Sequence, residues 1–331
     1  MIMMMKKSLA LRRVARLLVL LASTSLVRAQ TATETTLRAE TKAAIARDST
    51  IGEDPTARRA ALDALGGRAG AVVVMNAKTG RVYTIVNQDW AVRRGFKPCS
   101  LIKLVTGLAG LNEKVIDPTK AMKVSGPAET LTFERALAAS HNGYFEDVGA
   151  RLGFAKMLRY ARDLGLGQRT GLNLRGETAG RLPQSAAAQD LREMSSHGDN
   201  FLVTPVQWAT LMSSIANGGA LLRPRVTSAA TGATIRRRLG LVSARALQQL
   251  RPGLVETVQY GTARVAYSSG LRIAGKTGTC EGQGSELGLF ASYAPAAAPR
   301  VTVVVGTRGP DATGGSAAAI AAQVHRALKI R

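Results

Sequence analysis

Phe96-Lys97-Pro98-Cys99-Ser100-Leu101-Ile102-Lys103 is the stretch on which the reading of this chain turns. Pro98 precedes a helical pattern that runs from about Ser100 to Asn112 and ends near Asp117-Pro118. Residues three apart share a helix face, so Lys103 is expected beside Ser100. A serine hydroxyl is a weak nucleophile until a base takes its proton. A lysine can be that base where burial and neighbouring cations lower its pKa. The start of a helix also offers backbone N–H groups and the positive end of its dipole to a developing oxyanion. Alone, Ser-x-x-Lys occurs by chance in most chains of this size, so its weight depends on what accompanies it.

Two further short elements accompany it. Ser140-His141-Asn142 supplies a second hydroxyl that can relay a proton and an amide that can hold a substrate amide. Its plain alternative is a serine that caps a helix. Lys276-Thr277-Gly278-Thr279 ends an apolar run that reads as a strand. A lysine and two threonine hydroxyls there suit a substrate carboxylate, and Gly278 allows a substrate backbone to approach closely. Its plain alternative is a strand end with a solvated lysine. Each plain reading wins when taken singly; the three in this order, each on a fitting element, do not.

The rest of the chain frames these elements. Residues 30–53 are polar and read as a lead-in, partly helical. Asp54-Pro55 opens a helix through Leu65, with proline at its first position and Gly66-Gly67 ending it. Ala71–Met75 and Arg81–Val86 are β-rich runs joined by a hairpin loop that ends in Gly80. The middle, 119–250, reads as helices, among them Phe133–Ala139, Tyr144–Leu152, Phe154–Leu164 and Pro205–Ile215. Three more strands follow at Leu271–Lys276, Leu287–Tyr293 and Val301–Thr307, then a helix from about Gly315 to Leu328. The pattern predicts an α+β fold with a five-stranded, mainly antiparallel sheet flanked by terminal helices. The helical middle, 119–250, is then an inserted subdomain of a catalytic domain over 68–331. His197 and His325 read as structural, His141 as a bystander, and Glu177 as part of a turn rather than a hydrolytic base.

Together the three motifs match the triplet of penicillin-binding transpeptidases and serine β-lactamases. The chain resembles that superfamily over roughly 54–331. Ala71 to Gly80 is similar to the first hairpin of a transpeptidase domain, and Phe96 to Lys103 to its nucleophile helix. Thr204-Pro205-Val206-Gln207 with Ile215 to Gly219 resembles a helix of the class B-like branch; Tyr260 to Ala263 and Ala274 to Thr279 complete the likeness. The resemblance implies acyl transfer on D-Ala-D-Ala stem peptides of peptidoglycan, with β-lactams as inhibitors or substrates and no cofactor. It implies Ser100 as nucleophile, Lys103 as general base, Ser140 as proton relay and Asn142 as the residue that orients the acyl chain. Lys276, Thr277 and Thr279 would hold the terminal carboxylate, and the backbone N–H groups of Ser100 and Thr279 would form the oxyanion hole.

Departures from the pattern are specific. Only about 38 residues, 30–67, are expected between a signal segment and the first strand, where class B enzymes usually carry a large module. Gly288-Leu289-Phe290 stands where a Trp-Phe pair is common, and Cys99 where glycine often precedes the nucleophile. Two other readings stay open: a β-lactamase, and a sensor that is acylated without turnover. Class A β-lactamases need a dedicated carboxylate base, and class D enzymes usually carry valine where this chain has Asn142. Certain class A carbapenem-hydrolysing enzymes carry a cystine at the offsets of Cys99 and Cys280, which implies a disulfide between these two; two buried thiols are the alternative.

Composition bounds the partners. Hydrophobic residues make up 46% of the 331 and aromatics only 4%, so the core must be aliphatic. Residues 1–29 read as a signal peptide: a basic start, an apolar stretch Leu17–Val27 too short to span a bilayer comfortably, and small residues before a cut after Ala29. An uncleaved anchor is the alternative. That segment carries six of the basic residues and no acidic one, which takes the formal charge from +23 to +17. The excess is scattered arginine without interleaved aromatics. It therefore points to an acidic cell-wall polymer or an anionic membrane surface, or to a generally basic surface, and not to nucleic acid. Two cysteines and three dispersed histidines give no metal site.

Overall fold

The computed structural model describes residues 33–125, 129–185, 187–229, 232–282 and 284–328. The signal-peptide reading of 1–29 lies outside them. Residues 33–45 form helix α1, followed by α2 (Pro55–Leu65), capped by Asp54, whose carboxylate accepts from Ala57 N at 2.9 Å. Gly66 ends α2 in the left-handed region at φ 58°. Strands β1 (Gly70–Asn76) and β2 (Arg81–Val86) form the expected hairpin. Between α1 and α2, the buried Glu53 accepts from Ile85 N (2.9 Å) and Thr84 Oγ1 (2.8 Å). Asp48 accepts from the backbone N–H groups of Asn87 and Gln88 and from Arg58. Two carboxylates thus tie the lead-in to the end of β2.

The nucleophile segment differs from expectation at its start: Cys99–Ile102 is a 3-10 turn, and the α-helix α3 covers Lys103–Asn112. Then come β3 (Met122–Val124), β4 (Glu129–Leu131), α4 (Phe133–Ala138), α5 (Asn142–Leu152), α6 (Phe154–Asp163), α7 (Ala188–His197) and α8 (Pro205–Ala216). The chain continues through β5 (Ala220–Leu222), β6 (Arg225–Val226), β7 (Ile235–Arg238) and α9 (Ala244–Gln259). Strands β8 (Ala274–Gly282), β9 (Ser285–Ala294) and β10 (Val301–Arg308) precede the last helix, α10 (Gly314–Ala327).

The main sheet has six strands in the order β6-β2-β1-β10-β9-β8, not five. The addition is β6, two residues long and parallel to β2, with Arg81 opposite Arg225 and Val82 opposite Val226. It follows Pro224 and is too short to carry an alternating signal. The other five strands are antiparallel neighbours, and β1 against β10 joins the two ends of the catalytic fold. The helical middle also holds two small hairpins, β3–β4 and β5–β7, which its sequence pattern did not announce.

Both faces of this sheet are covered, which explains why β1 is apolar at successive positions. Val73 and Met75 face the larger core beneath the helical region and α8, while Val72 and Val74 face α2 and α10. Glycine and alanine let α10 lie close: a Cβ on Gly314 would sit 2.7 Å from Thr277 Cβ. His325 on α10 is buried beside Ser292 Oγ at 3.0 Å, consistent with its structural reading.

Candidate active site

Four elements converge on one point. The turn before α3 brings Ser100, α3 itself brings Lys103, the α4–α5 corner brings Ser140 and Asn142, and β8 brings Lys276. Lys103 Nζ lies 3.1 Å from Ser100 Oγ and 3.2 Å from Ser140 Oγ. It also donates to Ser140 O at 2.6 Å and to Asn142 Oδ1 at 2.5 Å. Lys276 Nζ donates to the same Ser140 hydroxyl at 2.8 Å. The charged side chains are buried among hydrocarbon, with the Phe145 ring 5.7 Å from Lys103 Nζ.

Burial decides the electrostatics. It pulls the Lys103 pKa down from 10.5 to about 7, against the opposing pull of Glu146. Burial, and then the charge on Lys103, also hold Lys276 well below the ordinary lysine range. Two ammonium groups cannot comfortably share one hydroxyl, so the site favours at least one neutral amine. The two residues that lead into the site share an unusual backbone: Cys99 at φ 50° and Ser140 at φ 55° are left-handed without being glycine.

The third motif sits in the middle of β8, not at its end. Thr277 Oγ1 is 2.5 Å from Thr262 Oγ1, and Thr262 belongs to the Tyr260–Ala263 stretch that had been read only as family likeness. Thr279 Oγ1 accepts from Gly314 N at 2.8 Å, which leaves its hydroxyl proton free to donate outward. Gly278 also has a packing reason, beside the close substrate approach expected from the sequence. A Cβ there would lie 3.1 Å from Pro98 O and 3.2 Å from Cys99 Cβ, so glycine lets the nucleophile turn pack on β8. Beside it, Cys99 and Cys280 form a disulfide, with Cα atoms 5.5 Å apart.

Of the remaining singled-out residues, Glu177 accepts from Thr170 N, Thr170 Oγ1 and Gly171 N, a turn-forming role. His141 caps α5 by accepting from Tyr144 N at 3.1 Å and pairs with Glu129 at 3.0 Å. His197, read as structural, lies instead against the site: its Nε2 is 3.1 Å from Asn142 Nδ2. No sequence signal brought it there, because 55 residues separate the two.

Comparisons with known proteins bear on the family of the chain. Residues 70–326 match the model of the penicillin binding protein transpeptidase domain. Stage V sporulation protein D of Bacillus subtilis is 28% identical over 272 residues, covering 71% of this chain and 42% of that protein. The peptidoglycan D,D-transpeptidase MrdA of Acinetobacter baumannii is 26% identical over 78% of this chain and 50% of its own length. The chain therefore spans half or less of these relatives. A crystal structure of a peptidoglycan glycosyltransferase from Burkholderia ambifaria shares the fold with a TM-score of 0.76 at 22% identity, covering 85% of this chain and 98% of that one. Because the family match runs from β1 into α10 and encloses every residue of the site, the chain belongs to the penicillin binding protein transpeptidase domain family.

Proposed function

We propose that the chain is a penicillin-binding serine acyl-transferase acting on D-Ala-D-Ala stem peptides of peptidoglycan, as a D,D-transpeptidase or D,D-carboxypeptidase. The observation that carries this reading is a buried lysine, pKa about 7, whose Nζ reaches both Ser100 Oγ and Ser140 Oγ. Ser100 Oγ attacks the carbonyl of the penultimate D-Ala while neutral Lys103 takes its proton. Backbone N–H groups of Ser100 and Thr279 hold the oxyanion. Ser140 passes a proton to the departing amine of the terminal D-Ala, the C–N bond breaks, and an ester remains on Ser100. A second stem amine, or water, attacks that ester and returns the proton along the same path. Asn142 aligns the acyl chain, and Lys276, Thr277 and Thr279 hold the terminal carboxylate. Glu177 is committed to Thr170 and Gly171, so it is not available as the hydrolytic base of a β-lactamase, and slow release of the acyl group is the outcome this reading expects.

The working place is outside the cytoplasm, reached by a signal segment over 1–29, and the basic surface meets an anionic wall polymer or membrane. The catalytic domain is taken as 68–331, with 30–67 as its lead-in. The test is release of D-alanine or D-lactate from an N-acylated peptide ending in D-Ala-D-Ala and from its D-Ala-D-lactate ester. Release by the wild type that penicillin pretreatment and Ser100→Ala both abolish is the expected result. Release that survives Ser100→Ala, or none from either substrate, would overturn the reading.

A further inference from the structure

We propose that His197 is a positioning residue of the acyl-transfer site, whose neutral ring holds the Asn142 amide in its working orientation. The inference rests on the transferase reading, in which Asn142 aligns the acyl chain beside Lys103.

The polarity of the hydrogen-bonded chain follows from its two ends taken together. Ser196 Oγ is buried and lies 3.2 Å from Glu146 Oε1, 3.3 Å from Arg192 O and 3.4 Å from Glu193 O. All three are acceptors, so the single hydroxyl proton of Ser196 has a partner other than the ring. Because Asn142 Oδ1 is turned to Lys103 Nζ, its Nδ2 donates to the ring at Nε2, and the ring proton then lies on Nδ1, where Ser196 Oγ accepts it at 2.7 Å. A neutral ring with its proton on Nδ1 offers a lone pair at Nε2, and that lone pair meets Asn142 Nδ2 at 3.1 Å. Asn142 Oδ1 accepts from Lys103 Nζ. Donation therefore runs one way, from Lys103 through Asn142, His197 and Ser196 to Glu146. One proton of Asn142 Nδ2 is used on His197, and the other is left for a substrate carbonyl.

The histidine is held in place. It is the last residue of α7, and Gly198 follows at φ 75°, where a Cβ would lie 2.8 Å from Pro98. Lys97 and Asp199 form an ion pair across the same seam. The end of α7 is thereby fastened to the turn that carries Ser100.

Protonation of His197 would break this arrangement. A proton on Nε2 would face the Asn142 NH2 group, donor against donor. To recover a bond the amide would have to rotate, which turns NH2 toward Lys103 and withdraws Oδ1 from it. The charged and titratable groups facing the ring are Lys103 from α3, Glu146 from α5, and Lys97 and Asp199 from the flanking segments. Burial, then Lys103, hold the His197 pKa below its usual 6.5, while Asp199 and Glu146 pull the other way. The ring is thus neutral over the range in which Lys103 becomes neutral, and it charges only at lower pH.

The test is the second-order rate of acylation by benzylpenicillin from about pH 5 to 9 for the wild type, His197→Gln and His197→Ala. Gln keeps an acceptor where Nε2 lies but does not titrate. The wild-type rate should fall about tenfold per pH unit below the Lys103 pKa, then steepen to about a hundredfold per unit as His197 also takes a proton. In His197→Gln the tenfold slope should persist without steepening. His197→Ala should be about tenfold slower at high pH, with Gln restoring most of that loss. A His197→Gln limb that superimposes on the wild type, or a wild-type limb that never steepens, would overturn the assignment while leaving the transferase reading intact. A wild type that takes up no penicillin would remove both. Should Ala fail to fold, the slope of the Gln variant still decides.

Discussion

Two lysines share the hydroxyl of Ser140, and that sharing sets the chemistry of the site at the scale of single residues. Lys276 Nζ is 2.8 Å from it and Lys103 Nζ 3.2 Å. Burial is the largest cause of the lowered pKa of each, and the charge on Lys103 adds to it at Lys276. In the proposed reaction Lys103 acts in its neutral form. Its pKa lies near 7 rather than 10.5, so acylation should rise with pH through about 7 and level off above it. Removing the amine in Lys103→Ala should cost about 10³-fold or more in the acylation rate while the circular dichroism spectrum stays that of the folded protein. A folded Lys103→Ala that is acylated at near the wild-type rate would mean the base is elsewhere. At this scale the short motifs were legible because Ser100 and Lys103 are three residues apart and act within one turn. His197 was not, because its partner Asn142 lies 55 residues away and a lone histidine carries no local pattern.

Among the elements, the seam between the nucleophile turn and β8 matters most. Gly278 removes the side chain that would otherwise separate them, and Cys99–Cys280 bonds them. The bridge spans 181 residues. A loop that long gives a chain-entropy stabilisation of roughly 4–5 kcal/mol, and real bridges often deliver less. Reduction should therefore lower the thermal midpoint and also slow acylation, because the turn holding Ser100 loses its tether to the strand proposed to hold the substrate carboxylate. Rates and melting curves with and without dithiothreitol, with thiols counted, check this; a reduced protein acylated at the unreduced rate would show that the seam needs no bridge. Elements with long apolar runs, such as Val72–Met75 and Val301–Val305, were legible from the chain. The two-residue strand β6 and the hairpins β3–β4 and β5–β7 were not, since two to four residues are too few to establish a period. The start of α3 was misread for a related reason: the left-handed Cys99 forces a tighter turn, and no residue preference marks a cysteine for that conformation.

Across the whole molecule, the sheet is closed by strands from both ends of the catalytic fold, and the site lies where its edge strand β8 meets the helical middle. The pairing of β1 with β10 puts seven residues of each in register, which ties early and late segments into one body. That architecture brings Ser100, Ser140 and Lys276 together from far apart in the chain, and it is why three individually weak motifs gain their meaning only in combination. The central claim, that Ser100 alone carries the acyl group and releases it slowly, is tested most directly by intact mass against time with benzylpenicillin, followed by mapping of the labelled peptide. The expected result is a single adduct, confined to the peptide containing Ser100, that persists after free penicillin is removed and is absent in Ser100→Ala. An adduct on Ser140, labelling that survives Ser100→Ala, or an adduct that vanishes with steady hydrolysis of penicillin would contradict it.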